Sequence, residues 1–265
     1  LAEYFTRRRR MALPSIVLLL AFVACVVAVP IEIIDSTRPD LSEQATALIA
    51  AAIALSGAVA AWFHWRRFMV PITVAAGTAA LAIAAIATIV ATVMPRVDAS
   101  EADKVLLPLV FIAGLSVFAF AMRWDISDRA RETRRSDVAF WLHLLAAPMI
   151  AHPLFHWLGV VDGENIGAGA AVGVLAIYVL FGVVALAVDR RALLVSALAY
   201  VLIALTWLLR TFGMVELNVA ITGLVIGSAL LTLSAFWSPI RRALVARLPG
   251  ELQGRLPVTG LALAA

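Results

Sequence analysis

Three of the four histidines in the chain lie in one apolar segment, which also carries an aspartate, two tryptophans and two prolines. Histidine can bind a metal or transfer a proton near neutral pH, so this segment has residue types suited to chemistry. The candidate binding or contact residues are Asp137, Trp141, His143, Pro148, His152 and His156. At 100° per residue, a helix places all of them except His143 within about a third of its circumference. We therefore predict a polar stripe along one face of this helix.

Three interpretations of this stripe are open. It could line a solute pathway or a contact site, because ionisable groups in a span are costly and face protein or water. Pro148 would then kink the helix and turn Trp141 and His152 towards the bundle. His152 and His156, spaced i,i+4, are a weak candidate for binding one metal, and haem would need a facing histidine on another span. Alternatively, both histidines lie at the outer interface, in an aromatic belt with Trp157.

Other sequence features predict structure rather than chemistry. Arg210 and Glu216 close the outer end of a predicted hairpin, and we expect them to form a structural clasp. We expect Tyr178 and Tyr200 to make hydrogen bonds within the membrane. Phosphate-binding loops, GxSxG and CxxC motifs are absent from the sequence. We therefore predict no catalytic residue, no enzymatic activity and no cofactor, and the alternative is a metal or haem at the histidines.

The composition explains why these polar residues are unusual. Of the 265 residues, 63% are hydrophobic and only 14% are charged, and the mean hydropathy is +1.00. A soluble domain has about 25% charged residues, because water-facing surface needs polar side chains. The composition excludes a soluble globular enzyme, a disordered chain and a disulfide-stapled domain. A net charge of +4 without a basic patch does not favour nucleic acid.

Eight apolar runs are each long enough to cross a bilayer, which takes about 20 residues of helix. They cover residues 11–30, 45–64, 69–93, 105–122, 138–158, 166–187, 192–211 and 216–236. The first run follows four arginines, as a signal peptide would, but we predict an uncleaved span. After the last run, Ser238 and Pro239 predict the start of a short helix. Arginines alternate there with Ile240 and Leu244, which predicts an interfacial helix on the inner leaflet.

The basic residues predict the orientation of these spans. Seventeen of the 21 cations lie in the two termini and in the connections after spans two, four and six. The other connections hold four cations and ten acids. Short loops rich in Lys and Arg remain in the cytoplasm. We therefore expect both termini in the cytoplasm and the connections at 31–44, 94–104 and 159–165 on the outer side.

The landmarks of the first four spans recur in the last four. Arginine pairs precede spans one and five and separate spans two from three and six from seven. Spans four and eight are each followed by a tryptophan, Trp124 and Trp237. We predict two parallel four-helix repeats. The corresponding divisions are 1–122 for the N-terminal half, 123–137 for a charged cytoplasmic connection, 138–236 for the C-terminal half, and 237–265 for the interfacial helix and tail.

The expected fold is therefore all-α: a polytopic membrane protein of eight spans. The frequent alanine and arginine favour a bacterial origin, and hence the inner membrane. The low polar content favours a non-catalytic subunit or scaffold, whose partners are the lipid bilayer and other membrane subunits or copies of itself. The repeat and Pro148 favour, as the alternative, a small-solute or ion transporter with a site between the halves. A membrane enzyme using metal or haem is the second alternative.

Overall fold

A computed structural model describes residues 1–37, 41–93, 97, 101–160, 168–211 and 218–258, and does not describe the side chains of 168, 199, 204–211, 218–222, 225 and 226. Most of these residues are helical, and none of them forms a strand. A π-helix at Glu3–Arg8 is followed by ten α-helices: α1 (Ala12–Thr37), α2 (Glu43–Phe68), α3 (Ile72–Val93), α4 (Ala102–Ser127), α5 (Arg134–Trp157), α6 (Ala168–Val188), α7 (Ala192–Thr211), α8 (Asn218–Ala235), α9 (Trp237–Val245) and α10 (Gly250–Gln253).

Six of the helices are long and apolar enough to cross a membrane. They are α1 to α5 and, within α6, the segment Gly169–Val188. The protein is therefore an all-helical, multi-pass membrane protein. The well-described part of α7, Ala192–Ile203, is a shorter apolar helix, so six of the eight predicted spans are supported.

The first compact unit comprises Leu1–Ala121 and Asp137–Leu145. Its α2 and α3 form a hairpin. The chain reverses after α2 because Met69, the residue that follows the helix, has a left-handed backbone with φ 51°. A Cβ atom added at Gly77 of α3 would lie 3.3 Å from the Cβ of Ala61. Small residues thus let the two helices approach closely, which is the usual packing of membrane helices.

The α1 helix packs against this hairpin near its turn. Leu19 of α1 is fully buried together with Val70 and Ile72, and Trp141 of α5 packs against the same cluster. In the same unit, a Cβ added at Gly57 would lie 3.0 Å from Val27 of α1. The glycine therefore permits the close crossing of α1 and α2.

The second compact unit comprises Met122–Ser136 and Ala146–Ala265. Its α6 and α7 form a hairpin that reverses at Asp189, also left-handed with φ 59°. Ala185, Leu186 and Leu194 of this hairpin are buried against Trp237 of α9. The short C-terminal helix is therefore held on the α6–α7 turn.

Within α5, Asp137–Leu145 belong to the first unit, and residues 134–136 and 146–157 belong to the second. Because α4 continues to Ser127 and α5 begins at Arg134, the non-helical connection covers only 128–133, within the segment predicted at 123–137. Acidic and basic residues in this segment are compatible with helix because they lie outside the apolar core of each span.

Candidate functional site

The loop before α5 supplies a polar cap that sets where the helix begins. The Thr133 hydroxyl accepts a hydrogen bond from the Arg135 amide at 3.2 Å. Asp128 accepts from the Thr133 amide at 3.0 Å and from its hydroxyl at 2.7 Å. Burial alone would raise the pKa of Asp128, but hydrogen bonds from Thr133, Glu132 and Ser136 outweigh burial and lower it. The cap is therefore charged at neutral pH and weakens only as the pH falls through that lowered pKa.

The α5 helix buries an apolar face and leaves most of the predicted polar stripe outside. In the most apolar 18-residue stretch of α5, 56% of the residues are buried, whereas only 6% are buried in the corresponding stretch of α1. The buried face consists of Val138, Ala139, Leu142, Ala146, Ala147, Ile150, Ala151 and Phe155. Asp137, Pro148 and His152 are exposed, and Trp141 and His156 are half-buried.

The expectation that a kink at Pro148 turns His152 towards the bundle is therefore wrong. The four alanines on the buried face explain why. Small side chains let neighbouring helices approach α5 closely, so the face that carries the alanines turns inward and the face with His152 stays outside. Trp141 only partly fits the expectation, since it contacts the Leu19 cluster while remaining half-buried.

His152 forms an exposed polar pair with Tyr200 of α7, within the second unit. Its Nδ1 lies 2.9 Å from the Tyr200 hydroxyl, in hydrogen-bond contact. The Tyr200 ring stacks on Phe155 with centroids 4.4 Å apart and planes at 17°. The stacking holds the hydroxyl beside the imidazole. Tyr200 thus makes the expected intramembrane hydrogen bond, whereas the buried Tyr178 hydroxyl has no such partner in the described structure.

His143, predicted to point away from the stripe, is the histidine of α5 that the helices bury. It is 3% exposed, and its ring packs edge-on against Phe118 of α4 with centroids 5.0 Å apart. Both residues belong to the first unit. His143 is therefore a packing residue between α4 and α5.

The arrangement of the histidines does not complete a metal site in the described residues. The rings of His152 and His156 have centroids 6.3 Å apart. Metal sites of protein side chains usually take three or four ligands, and within the part of the chain that the structure describes no group of three His, Cys, Asp or Glu residues is close enough. The predicted clasp of Arg210 and Glu216 lies outside the described side chains.

A cluster of charged residues at the α6–α7 turn was not singled out from the sequence. We call Arg131, Asp189, Trp237 and Arg241 the Asp189 network. Asp189 accepts from Arg131 Nη1 at 2.8 Å and from the Trp237 indole at 2.7 Å. Arg241 Nε lies 3.7 Å from the same carboxylate, and Arg241 Nη2 donates to the Pro257 carbonyl at 2.8 Å.

Burial, followed by repulsion from Arg190, lowers the pKa of Arg131, and the charge of Asp189 partly opposes this. Arg131 keeps its charge, because a guanidinium group is not deprotonated in proteins. The network therefore joins fixed charges, and its hydrogen bonds connect the loop before α5, the turn after α6, and α9.

A second ion pair lies beside the network in the same unit. Arg190 donates to Asp125 through Nη2 at 2.7 Å and through Nε at 3.4 Å, and also to the Ser136 carbonyl at 3.0 Å. The Asp125 side chain is fully buried and that of Arg190 is 12% exposed. This bidentate pair connects the ends of α4 and α5 to the α6–α7 turn.

One signal in the sequence could have identified these contacts. Asp125, Asp128 and Asp189 are acids among the basic connections that set the predicted orientation. An acid retained beside the end of a span, where cations dominate, is a candidate for pairing with them. The arginines were interpreted only as markers of orientation, so this second use was missed.

Comparison of the chain with protein-family models, with curated proteins and with solved structures found no match.

Proposed function

We propose that this chain is a non-catalytic subunit of a bacterial inner-membrane assembly. It has eight spans in two parallel four-helix halves, with both termini in the cytoplasm. The outer face of α5 and α7, around His152, contacts another membrane subunit. The positive-inside distribution of arginines and the paired landmarks of the two halves support this topology.

The observation that carries the proposal is the outward position of the His152–Tyr200 pair. His152 is exposed although it lies five residues inside the end of α5 at Trp157. At 1.5 Å per residue, this places it about 7 Å inside the helix end. Tyr200 contacts one ring nitrogen, and the other nitrogen still needs a partner. A polar group in a span is stable when it faces protein or water, so another subunit would satisfy it.

The same geometry disfavours the solute pathway. A pathway within the second unit would need polar side chains on the inner face of α5, which is lined there by Ala146, Ala147, Ile150 and Phe155. The buried and partly buried charges of this unit instead form ion pairs that fix helix ends. Such an arrangement suits a rigid scaffold better than a carrier that must change conformation.

The assembly proposal predicts the effect of removing the exposed histidines. The protein extracted in mild detergent should run as a complex heavier than the 28.3 kDa chain by light scattering. The double variant His152→Leu, His156→Leu should run as the lone chain, because leucine cannot make the polar contact. Its helix content should stay at the wild-type value, because neither leucine lies on the buried face of α5.

The matched control is Val183→Leu, an exposed apolar position of α6 in the same unit, which should leave the complex intact. A wild-type protein that runs as a lone chain in both detergent and nanodiscs would refute the proposed subunit role. A complex unaffected by the double histidine variant would show that the contact lies elsewhere than at His152.

A further inference from the structure

An apolar cavity of about 750 Å³, partly open to the protein surface, lies among α1, α2 and α3 of the first unit. Sites for small molecules commonly have volumes of about 300–1,000 Å³. The cavity exists because α1 crosses close to α2 at Gly57, while alanines line much of the remaining space. The lining alanines are Ala24, Ala50, Ala54, Ala76, Ala79 and Ala80.

The lining of the cavity indicates a hydrocarbon occupant. Water in a protein interior needs two to four polar partners, and alanine, valine, leucine and isoleucine offer none. On α1 the cavity extends from Leu20 to Asp35, which is about 22 Å at 1.5 Å per residue. The hydrocarbon core of one leaflet is about 15 Å thick. The cavity is therefore long enough for the acyl chain of a lipid.

The charges at one end of the cavity indicate the headgroup. Asp35 is the charged residue in its lining, and Thr46 of α2 lines the same end. Glu32 and Glu43 stand at the same ends of α1 and α2. The connection between these helices also carries Arg38 and Asp40, so the sequence has four acids and one cation at this end, which disfavours a net anionic headgroup and attracts an ammonium group. An amine that can also donate hydrogen bonds fits a carboxylate best.

We propose that this cavity binds one acyl chain of a phospholipid with a primary-amine headgroup, and that the amine faces Asp35. The lipid fills the space between α1 and the α2–α3 hairpin. This site is separate from the α5 face of the proposed assembly, and its occupant is a lipid instead of a protein.

Native mass spectrometry of the purified protein tests this proposal. The protein is incubated with equal amounts of phosphatidylethanolamine, phosphatidylglycerol and phosphatidylcholine, and the retained lipids are counted. We expect one phosphatidylethanolamine per chain. Ala50→Leu and Ala79→Leu fill the cavity and should each lower retention about tenfold. Asp35→Asn should retain a lipid but lose the preference for the amine.

The matched control is Ala52→Leu, an exposed position on α2 outside the cavity lining, which should retain lipid as the wild type does. Equal retention in Ala50→Leu, Ala79→Leu and Ala52→Leu would overturn the proposal. So would a preference for phosphatidylglycerol, or a wild-type protein without lipid whose dimer is disrupted by Ala50→Leu, because the cavity would then be a protein interface. Elution and melting curves establish that both filling variants are folded.

Discussion

The contribution of an ion pair to stability depends on how deeply its charges are buried, as the pair of Asp125 and Arg190 illustrates. Their side chains are 0% and 12% exposed, whereas those of Arg67 and Glu3, which form an ion pair at 2.6 Å, are each about half exposed. Water screens the exposed pair and hydrates either charge when the partner is removed. Burial denies the other pair most of that hydration, so removal of Arg190 takes away a close hydrogen-bonded neutraliser of the Asp125 charge.

Arg190→Met should therefore lower the free energy of unfolding by about 3–5 kcal/mol. Arg67→Met, the matched control, should change it by less than about 1 kcal/mol. Unfolding by denaturant in mixed micelles measures both. The double variant Asp125→Asn, Arg190→Met should recover part of the lost free energy of unfolding, because both charges of the pair are then absent. Equal effects of the two single variants would show that the Asp125 pair is not the stabilising contact.

The α9 helix also buries a charged residue where it packs on the protein. Its buried residues are Trp237, Arg241 and Val245, spaced by four, while Ile240 is exposed. An arginine thus lies at the centre of the face that packs on the protein. Arg241 donates a hydrogen bond to the Pro257 carbonyl and lies 3.7 Å from Asp189, so polar contacts as well as apolar packing hold the helix.

Loss of the Asp189 carboxylate should release α9. Asp189→Ala removes the acceptor of Arg131 and Trp237 and the negative charge near Arg241, so trypsin should cleave after Arg241 about tenfold faster. Asp189→Asn should have a smaller effect, since asparagine tolerates the left-handed backbone and still accepts from the indole. Mass spectrometry of the fragments gives the rates.

The control for this experiment is Glu251→Ala, an exposed acid of α10, which should leave cleavage unchanged. If Asp189→Ala is cleaved no faster than this control, α9 is held by the contacts of Trp237 with Ala185 and Leu194 alone.

Helix positions could be predicted from the sequence far better than helix faces. The run at 138–158 corresponds to α5 at Arg134–Trp157, because the length of a span follows from bilayer thickness and its ends from charge. The outward stripe was not predictable, since a membrane helix is apolar on every side and packing by alanines decides which face turns inward. The Asp189 network unites Arg131, Asp189 and Trp237, and no periodicity connects residues so far apart.

At the scale of the whole molecule, the structure contains two compact units, each with its own buried centre. Six apolar helices of 20 to 26 residues account for its membrane character. Most Lys and Arg residues lie before α1, in or beside the connections after α2, α4 and α6, and after α8. The proposed orientation follows from that alternation and is open to direct measurement.

Single cysteines introduced into a Cys25→Ala background should report this orientation. Cysteines at Glu43 and Glu101 should react with an impermeant thiol reagent in intact spheroplasts. Those at Arg67 and Arg242 should react only after lysis, because arginine-rich connections stay in the cytoplasm. The cytoplasmic pair serves as the internal control for membrane integrity. The reverse labelling pattern would place both termini outside.

The Asp189 network also has a consequence for the order of events during synthesis. Arg131 and Asp189 emerge from the ribosome well before Trp237, Arg241 and Pro257 are made, because translation proceeds from the N-terminus. Until then the Asp189 carboxylate lacks its indole donor, and the α6–α7 turn has no α9 to cover it. A chain interrupted after α8 would thus expose a charged, incompletely paired turn. The segment that follows α8 therefore completes the hydrogen bonds of Asp189, and a chain interrupted before it would differ from a longer chain in the exposure of this turn.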